Sequence, residues 1–288
     1  MVTVIYHDKC SDGACSAWVI RNYFQSEKVS FIPYNHGDNI PSLSPLEKIY
    51  MVDCSYSKEK LQEFANKITI LDHHASNKRE LENLNNDNIT AIFDMNRCGA
   101  ELAWDYFFPN KVKPWFLDMI SDHDLWKERQ PWTKILHAAT LKRGYHTIDG
   151  FDTLLSIEFN SDVYKQLYDE GVAILEEREK QITEAVNSAY SAHFKLGNET
   201  YTVKVYDCHF SLRSDVGNRL CENTSIDFAI SVNFDSKANL WRVSARKSSK
   251  SPLDLSILMK NLSDGGGHPS AAGGNIKGNL SDYILRIN

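Results

Sequence analysis

Short apolar runs that end in acidic or histidine residues constrain this chain more than any other feature of its sequence. The β-rich segment 68–71 is followed at once by Asp72, His73 and His74. In an open parallel α/β sheet, ligands bind beyond the carboxyl ends of the strands. The segment therefore predicts a binding site at the end of a strand, although a surface loop would explain an isolated pair of histidines equally well.

The same pattern recurs three times in the first half of the chain. Three further apolar runs each lead into Asp or His: 2–6 into His7 and Asp12, 48–52 into Asp53, and 117–120 into Asp122 and Asp124. A single carboxylate after such a run is commonly a helix cap. Four such ends are better explained by convergence on one cation-binding crevice.

The mixture of carboxylates and imidazoles indicates which ions would bind there. Hard divalent cations take oxygen ligands, and imidazole suits transition metals, so we expect Mn²⁺, with Mg²⁺ or Co²⁺ as substitutes. Two such ions about 3.5–4 Å apart can activate water and hold the attacking and leaving oxygens of a phosphoryl group. They would also relieve the repulsion between neighbouring carboxylates. The pattern therefore predicts phosphoester hydrolysis.

A second motif lies near the C-terminus, where the segment Leu-Trp-Arg-Val-Ser-Ala-Arg at 240–246 precedes Gly-Gly-Gly-His-Pro-Ser-Ala-Ala-Gly-Gly at 265–274. Together with the order of the earlier segments, it resembles the DHH phosphoesterases of the DHHA1 subgroup. The resemblance extends from His7 to Gly274. The segments 10–13 and 98–100 are most similar to the short oligoribonuclease (nanoRNase) or cyclic-nucleotide phosphodiesterase-like members.

The resemblance implies a role for each matching residue. In catalysis, His74 would face the scissile phosphate, and Asp72 would orient a ligand histidine through its second ring nitrogen. The resemblance also implies two ions bridged by Asp53, one held by His7 and the other by Asp12, His73 and Asp122.

Two of these assignments depend on single residues. Asp122 is preferred to Asp124 because it directly follows the apolar segment, and Asp124 is expected to cap or brace the loop. Cys10 stands where many relatives carry Asp. It is either a thiolate ligand or a small buried side chain, and in the second case Asp8 or water would complete the first ion.

Substrate binding is predicted for six residues near the C-terminus: Arg242, Ser244, Arg246, Gly266, Gly267 and His268. The first three alternate along one predicted strand face, where arginine is well suited to bidentate contact with phosphate. The glycines would let backbone amides approach an anion. His268 would contact a terminal phosphate or a sugar hydroxyl.

Composition restricts the partners. A net charge of -6 argues against charge-driven binding to long nucleic acid, so we expect a short oligonucleotide or a small nucleotide, and leave open a homodimer. No apolar run approaches the ~18 residues of a membrane span, so no membrane partner is expected. Six cysteines without a Cys-x-x-Cys pair, and the lack of a basic-then-apolar leader, predict a reduced, cytoplasmic protein.

The predicted fold class is α/β. Alternating strands and helices over residues 1–160 predict a mostly parallel sheet flanked by helices, the DHH catalytic domain. A long helix at 161–194 would connect it to a smaller mixed α/β domain, the DHHA1 substrate-binding domain, at 195–288. We expect the active site in the cleft between the two domains.

Three functions fit these patterns. The leading hypothesis is a metal-dependent phosphodiesterase that hydrolyses short oligonucleotides to mononucleotides. The alternatives are a phosphatase or phosphodiesterase of a small nucleotide, such as 3'-phosphoadenosine 5'-phosphate or a cyclic nucleotide, and a catalytically inactive nucleotide-binding regulator. Four tryptophans could stack bases but are more often buried: Trp104, Trp115, Trp126 and Trp132. His137 and His146 are expected to be structural or surface groups.

Overall fold

The structure is a computed structural model that describes residues 2–25, 28–35, 38–39, 41, 43–44, 47–127, 129–222, 225–248, 251–263 and 265–287. It consists of two compact units, Met1–Leu175 and Glu176–Asn288. The division falls inside one long helix, Asp162–Ser188. The domain limits expected from the sequence, 1–160, 161–194 and 195–288, remain a prediction.

The first unit is built on a five-stranded parallel sheet in the order β2-β1-β3-β4-β5. Its strands are β1 Val2–His7, β2 Val29–Tyr34, β3 Lys48–Val52, β4 Ile68–Asp72 and β5 Ile89–Phe93. Its helices are α1 Ser11–Phe24, α2 Lys58–Gln62, α3 Ala75–Glu80, α4 Gly99–Phe107, α5 Trp115–Asp124, α6 Thr133–Lys142 and α7 Gly150–Leu155, with α8 Asp162–Ser188 continuing into the second unit.

Both faces of this sheet are buried, as is usual for parallel sheets covered by helices. On one face, Val4 and Val52 pack in a core with Trp18 of α1. On the other face, Ile5 and Met51 belong to a separate buried cluster. Because neighbouring residues of a strand point to opposite faces, these runs are continuously apolar, and their polar residues are confined to the strand ends.

The second unit contains a seven-stranded mixed sheet in the order β10-β11-β9-β8-β7-β6-β12. Its elements are β6 Tyr190–Leu196, β7 Glu199–Tyr206, α9 Arg213–Cys221, β8 Phe228–Asp235, β9 Leu240–Arg246, α10 Leu255–Ser263, β10 Gly266–His268, β11 Ala271–Ile276 and β12 Ile284–Arg286. Strands β7 and β8 run parallel. Leu258 and Met259 of α10 pack with Val243 on one face of the sheet, and Val216 of α9 packs with Tyr206 and Ala229 on the other.

The predicted fold class is confirmed: a parallel sheet flanked by helices is followed by a smaller mixed α/β unit. The long helix was expected to extend to about residue 193, but it ends at Ser188. The chain that follows, Tyr190–Leu196, instead forms strand β6, which pairs with β7. Within the described residues, no helix combines the length with the apolar character that crossing a membrane would require.

Candidate functional site

Strand register brings the polar strand ends of the first unit to one edge. Tyr6 of β1 lies beside Val52 of β3, and Val52 lies beside Leu71 of β4. The residues that follow these positions, His7, Asp53 and Asp72, therefore leave the sheet at the same level. This arrangement is the convergence that the sequence predicted.

Asp53 lies at the centre of the cluster. Its carboxylate is almost fully buried, with Oδ2 3.3 Å from Nδ1 of His7 and Oδ1 3.1 Å from Nε2 of His73. The backbone of Asp53 has φ 58°, in the left-handed region that aspartate tolerates better than most residues. This sharp turn directs the side chain back over the end of the sheet.

Two further carboxylates approach His73 from helices. Nε2 of His73 lies 3.7 Å from Oδ2 of Asp12, at the start of α1, and 3.4 Å from Oδ2 of Asp124, at the end of α5. Asp12 is fully buried and accepts hydrogen bonds from the amides of Gly99 and Ala100 at 2.6 and 2.8 Å. The N-terminus of α4, where amides favour an anion, therefore fixes Asp12.

Gly99 is needed for this close approach. A Cβ at this position would lie 2.9 Å from Oδ2 of Asp12 and 2.9 Å from Cβ of Asp53. Any larger residue would push the two acids apart. The segment 98–100, which supported the family resemblance, thus has a direct steric role beside the cluster.

The donor atoms form three overlapping sets, each within 4.8 Å: His7, Cys10 and Asp53; Asp53, His73 and His74; and Asp12, His73 and Asp124. Asp53 belongs to two sets and His73 to two, as would be expected of ligands shared between neighbouring ions. Oδ2 of Asp124 is buried and accepts no hydrogen bond from the described residues. A buried carboxylate oxygen without a donor fits a cation.

The electrostatics of the cluster agree with this fit. Burial and the charges of Asp53 and Asp124 raise the pKa of Asp12 well above its usual value. Burial likewise raises the pKa of Asp124. Burial would also raise the pKa of Asp53, but hydrogen bonds with His7 and His73 lower it overall. Without cations, the three acids cannot all ionise freely.

The histidines take up part of the missing positive charge. Burial would lower the pKa of His73, but its hydrogen bond with Asp53 and the charge of Asp12 raise it to about 9. The hydrogen bond with Asp53 also raises the pKa of His7. In the protein without cations, protons on these rings therefore stand in for metal charge.

The structure separates Asp122 from Asp124: Asp124, and not Asp122, belongs to the clustered donor sets of the described residues. Asp122 points away from the cluster and accepts hydrogen bonds from the amides of Arg129 and Gln130 and from the hydroxyl of Thr133, at 2.9, 3.2 and 2.6 Å. Asp122 thus braces the loop after α5, and Asp124 reaches His73. Both residues lie on one helix, and proximity to the apolar segment could not tell which carboxylate faces the strand ends.

The expected partner of Asp72 also needs correction. Oδ1 of Asp72 accepts the ring Nδ1–H of His74 at 2.8 Å, whereas it contacts His73 through the backbone amide at 2.7 Å. The other carboxylate oxygen of Asp72, Oδ2, accepts a hydrogen bond from Nδ2 of Asn77 at 2.6 Å. The fully buried Asp72 therefore orients His74, the residue expected to face phosphate, rather than the imidazole of His73.

Cys10 lies in the set with His7 and Asp53 and immediately precedes α1. Burial, followed by the charge of Asp53, raises the pKa of its thiol above the usual value. The protein without cations therefore holds Cys10 as a neutral thiol. The geometry is compatible with a ligand on a bound ion, and both roles considered for this residue stay open.

A pocket of about 400 Å³ opens beside the cluster within the first unit. Its lining combines donors of the cluster with polar groups of neighbouring loops: His7, Tyr34, Asp53, Cys54, Ser55, His74, Ser76, Asn77 and Glu80. The half-exposed imidazole of His74 therefore borders both the cluster and open space. The pocket could hold a small phosphoester beside the candidate ligands.

The predicted substrate residues of the second unit lie on two strands, β9 and β10, which are separated by β11. Arg246 of β9 pairs in register with Ala271 of β11, which pairs with His268 of β10. Residues directly opposite in neighbouring strands share a face. Arg246 and the exposed His268 therefore lie on one face, separated by a single strand.

The two arginines differ. Arg246 donates to Oγ of Ser244 at 3.2 Å and to Oγ of Ser214 at 2.9 Å. Arg242 is instead held by Asp235, with Nε and Nη2 both 2.8 Å from Oδ2. Arg242, Ser244 and Arg246 alternate along β9 as predicted. From the sequence, both arginines were expected to bind phosphate, and the ion pair of Arg242 with Asp235 was not foreseen.

The glycine-rich segment forms part of the sheet. The cradle of amides expected at Gly266 and Gly267 is an edge strand, β10, paired antiparallel with β11. Gly267 has φ 144°, and a Cβ there would lie 2.5 Å from the carbonyl oxygen of Ala271. Close packing between the strands explains Gly267, whereas a Cβ at Gly266 would meet nothing within 4 Å.

The chain belongs to the DHH family: the DHH family N-terminal domain matches residues 2–130, and the DHHA1 domain matches residues 198–286. The family predicted from the motifs is thereby confirmed. Members of this family are metal-dependent phosphoesterases or nucleases. The carboxylates and histidines at the sheet edge supply the type of donor set that such chemistry requires.

Individual relatives are distant. Protein R106 of Acanthamoeba polyphaga mimivirus, whose function is uncharacterized, is 30% identical over 289 residues, and the match covers 94% of this chain and 66% of that protein. The chain thus spans just under two thirds of that relative's length.

Two solved structures match nearly the whole of this chain. A pGpG-specific phosphodiesterase, PggH, from Vibrio cholerae has a TM-score of 0.52 and 14% identity, with 98% of this chain and 93% of that chain covered. RecJ from Thermus thermophilus, solved with Mn²⁺, has a TM-score of 0.49 and 13% identity, with 96% of this chain and 49% of that chain covered. At these identities, the resemblance to PggH concerns the fold alone.

Proposed function

We propose that this protein is a metal-dependent phosphodiesterase that hydrolyses short oligonucleotides to mononucleotides. The observation that carries the proposal is the convergence of Asp12, Asp53 and Asp124 on His73, with one buried carboxylate oxygen left without a donor among the described residues. Such a concentration of like charge favours divalent cations over a purely structural role.

The candidate ligands divide between two ions. His7 and Asp53, with Cys10 as an additional candidate, would hold one ion, and Asp12, His73 and Asp124 would hold the other. Asp53 would contact both. When bound, Mn²⁺ or a similar ion would supply an activated water and charge stabilisation for the phosphoryl group.

The chain's own residues would orient the substrate. Asp72 accepts a hydrogen bond from Nδ1 of His74 and raises the pKa of this half-exposed ring. When both ring nitrogens are protonated, Nε2 would donate to a phosphate oxygen. The side chains of Ser76 and Asn77 line the same pocket, and Asn77 also braces Asp72. A fixed donor costs little reorganisation during the reaction, which makes this kind of positioning effective.

The second unit carries its own candidate phosphate-binding residues, as the family resemblance implies. Arg246 offers a guanidinium suited to phosphate, on the same face as the exposed His268. The net charge of -6 favours a short ligand over a long polyanion. A short oligonucleotide meets both conditions.

The test is chromatographic product analysis after incubation with Mn²⁺. The substrates would be a dinucleotide, a five-residue RNA, 3'-phosphoadenosine 5'-phosphate and a cyclic dinucleotide. Asp53→Asn is the inactive control, because asparagine also tolerates the left-handed backbone at this position. Asp72→Ala is less suitable, because Asp72 accepts hydrogen bonds from two amides, a ring nitrogen and Asn77.

Mononucleotides from the RNA and the dinucleotide, absent with Asp53→Asn, would support the proposal. Turnover limited to 3'-phosphoadenosine 5'-phosphate or the cyclic dinucleotide would replace it with a small-nucleotide phosphatase or phosphodiesterase. No turnover, with no Mn²⁺ bound in a calorimetric titration, would sink the enzymatic proposal.

A further inference from the structure

Trp126 occupies a backbone position that normally favours glycine. Helix α5 ends in a Schellman motif, in which the amide of Lys127 donates to the carbonyl of Asp122 and the amide of Trp126 donates to that of His123, at 3.1 and 3.2 Å. The residue at the position of Trp126 must adopt a left-handed conformation, and its φ is 51°. This conformation is unfavourable for a residue with a Cβ.

Burial does not explain the tryptophan either. The side chain of Trp126 is 77% exposed, whereas the other five tryptophans of the chain are buried or half-buried. Among the four tryptophans considered as base-stacking residues, the structure therefore separates Trp126 from Trp104, Trp115 and Trp132. A large apolar ring held in solvent on a strained backbone points to a ligand.

The indole is the outermost ring of a column. His137, which is buried, stacks on His123 with a centroid distance of 3.5 Å and an interplanar angle of 23°. His123 stacks in turn on Trp126 at 6.1 Å and 26°. The rings therefore run from the core of the first unit towards solvent, and another flat ring could extend the column.

Hydrogen bonds hold the loop that carries Trp126 beside the candidate metal ligands. Asp122 accepts hydrogen bonds from the amides of Arg129 and Gln130, which anchors the chain on the far side of the tryptophan. Asp124, only two residues before Trp126, reaches His73 of the cluster. Two residues span at most about 7 Å of backbone, so the ring is attached within the reach of one nucleotide.

We infer that Trp126 is a base-stacking residue that positions a nucleobase of the substrate while its phosphate lies at the metal cluster. This inference rests on the proposed function, because it assigns the base of the same nucleotide substrate. It restricts the ligand class further: phosphoesters with an aromatic base would bind better than base-free phosphoesters.

Binding of two ligands that differ only in the base tests the inference. Adenosine 5'-monophosphate and ribose 5-phosphate would be titrated calorimetrically into the Mn²⁺-loaded full chain. The variants are Trp126→Gly, which suits the left-handed position, and Trp126→Phe, which keeps an aromatic face. Tyr106→Leu, at another exposed aromatic residue of the first unit, is the matched control.

We expect the wild type to bind adenosine 5'-monophosphate more tightly than ribose 5-phosphate. Trp126→Gly should weaken binding of the nucleotide roughly tenfold or more, with ribose 5-phosphate unchanged. Its melting temperature should equal or exceed that of the wild type, because glycine relieves the strained backbone. Trp126→Phe should restore most of the nucleotide affinity, and Tyr106→Leu should bind as the wild type does.

Equal affinity of the wild type for both ligands, or an equal loss for both with Trp126→Gly, would overturn the inference. So would a failure of the nucleotide to bind. Because binding is measured without turnover, a base-dependent loss in a protein that hydrolyses nothing would support the stacking role while rejecting the proposed function. Turnover by the wild type, together with unchanged nucleotide binding in Trp126→Gly, would support the proposed function while rejecting the stacking role.

Discussion

The sheet edge of the first unit and the β9–β11 surface of the second unit both collect residues suited to phosphoesters, but their charges are balanced differently. At the sheet edge, Asp12, Asp53 and Asp124 lie around His73, and Asp53 also contacts His7. On the second surface, Arg242 is already paired with Asp235, and Arg246 is already hydrogen-bonded to two serines.

This difference separates two kinds of candidate site. Buried carboxylates that repel each other are stabilised by protons or by cations, so a bound cation would stabilise the first region. Exposed cations with internal partners require nothing further, and a substrate would have to compete with those partners. The first region should therefore respond strongly to charge removal and pH, and the second only weakly.

Removal of one acid from the first region should give the largest effect. Asp124→Asn should lower turnover at least about a hundredfold, because it removes a candidate metal ligand whose buried oxygen accepts no hydrogen bond from the described residues. Its free energy of unfolding without metal should not fall, since repulsion with Asp12 and Asp53 is relieved. Steady-state kinetics and urea unfolding measure the two quantities.

Two variants on the same helix sharpen this result. Asp118→Asn, at an exposed position, should leave both quantities unchanged. Asp122→Asn should lower the free energy of unfolding by about 2 kcal/mol, because Asp122 accepts hydrogen bonds from Arg129, Gln130 and Thr133. A larger loss of turnover in Asp122→Asn than in Asp124→Asn, with stability intact, would restore the assignment made from sequence.

Metal binding should depend on pH. The pKa of His73 is raised to about 9 in the protein without metal, so this ring is protonated at pH 7 and must lose its proton to act as a ligand. The affinity for Mn²⁺ should therefore rise as the pH increases from 7 to 9, by up to about tenfold per unit for one released proton, and level off above 9.

Calorimetry of Mn²⁺ binding in buffers with different ionisation enthalpies would count the released protons. His193→Gln, at an exposed strand position of the second unit, should release as many protons as the wild type. Proton release close to zero at pH 7 would mean that the ion does not displace a proton from His73.

For the first region, the sequence predicted which residues meet at the sheet edge better than it predicted how their side chains are oriented. Parallel strands that end in His7, Asp53 and Asp72 must place these residues at one edge, which periodicity alone indicates. The choice between Asp122 and Asp124 depends on the rotation of α5, which is set by packing of its apolar side chains. Likewise, the partner of Asp72 depends on ring orientation, which no spacing encodes.

The second region shows the same limit. Alternation along β9 correctly placed Arg242 and Arg246 on one face, but the pairing of Arg242 with Asp235 arises from the neighbouring strand. Gly266 and Gly267 were expected to present backbone amides to an anion, because glycine lets the backbone approach a ligand closely. Only the register of β10 with β11 shows that Gly267 serves close strand packing. From the sequence, Trp126 was grouped with three other tryptophans, although Trp126 stands just past the end of a helix, where glycine is common.

The buried histidines of the first unit should make it sensitive to acid. Burial lowers the pKa of His137 to about 2 and that of His146 to about 4, so both stay neutral in the folded protein. The unfolded chain takes up these protons below about pH 6.5. The contribution of these two histidines to stability should therefore be complete above pH 6.5 and decrease towards pH 4, by up to about 1.4 kcal/mol per pH unit for each histidine.

Urea unfolding at pH 7, 6 and 5 in the presence of a chelator measures this slope. His137→Phe keeps a ring against His123 and removes one titrating group, so its stability should depend less on pH than that of the wild type. His193→Phe is the matched control at an exposed site. An unchanged slope in His137→Phe would show that His137 is not neutral in the folded protein.

Substitution of the arginines should give the smallest effects and contrast the two positions of one strand face. Arg242→Gln removes a half-exposed ion pair with Asp235, so the free energy of unfolding should change by less than about 1 kcal/mol. The KM for a dinucleotide should stay within about twofold of the wild type, since the guanidinium is already occupied. Steady-state kinetics and urea unfolding provide both values.

Arg246→Gln is the matched substitution, four residues further along the same face of β9. Its guanidinium donates only to neutral groups among the described residues, the hydroxyls of Ser244 and Ser214 and the carbonyl of Ala245, which a phosphate oxygen can replace more easily than a carboxylate. KM should therefore rise about tenfold while kcat changes little, because the metal cluster is untouched. If Arg242→Gln raised KM more than Arg246→Gln, the ion pair with Asp235 would have to open for substrate, and the second region would then resemble the first in depending on an external partner.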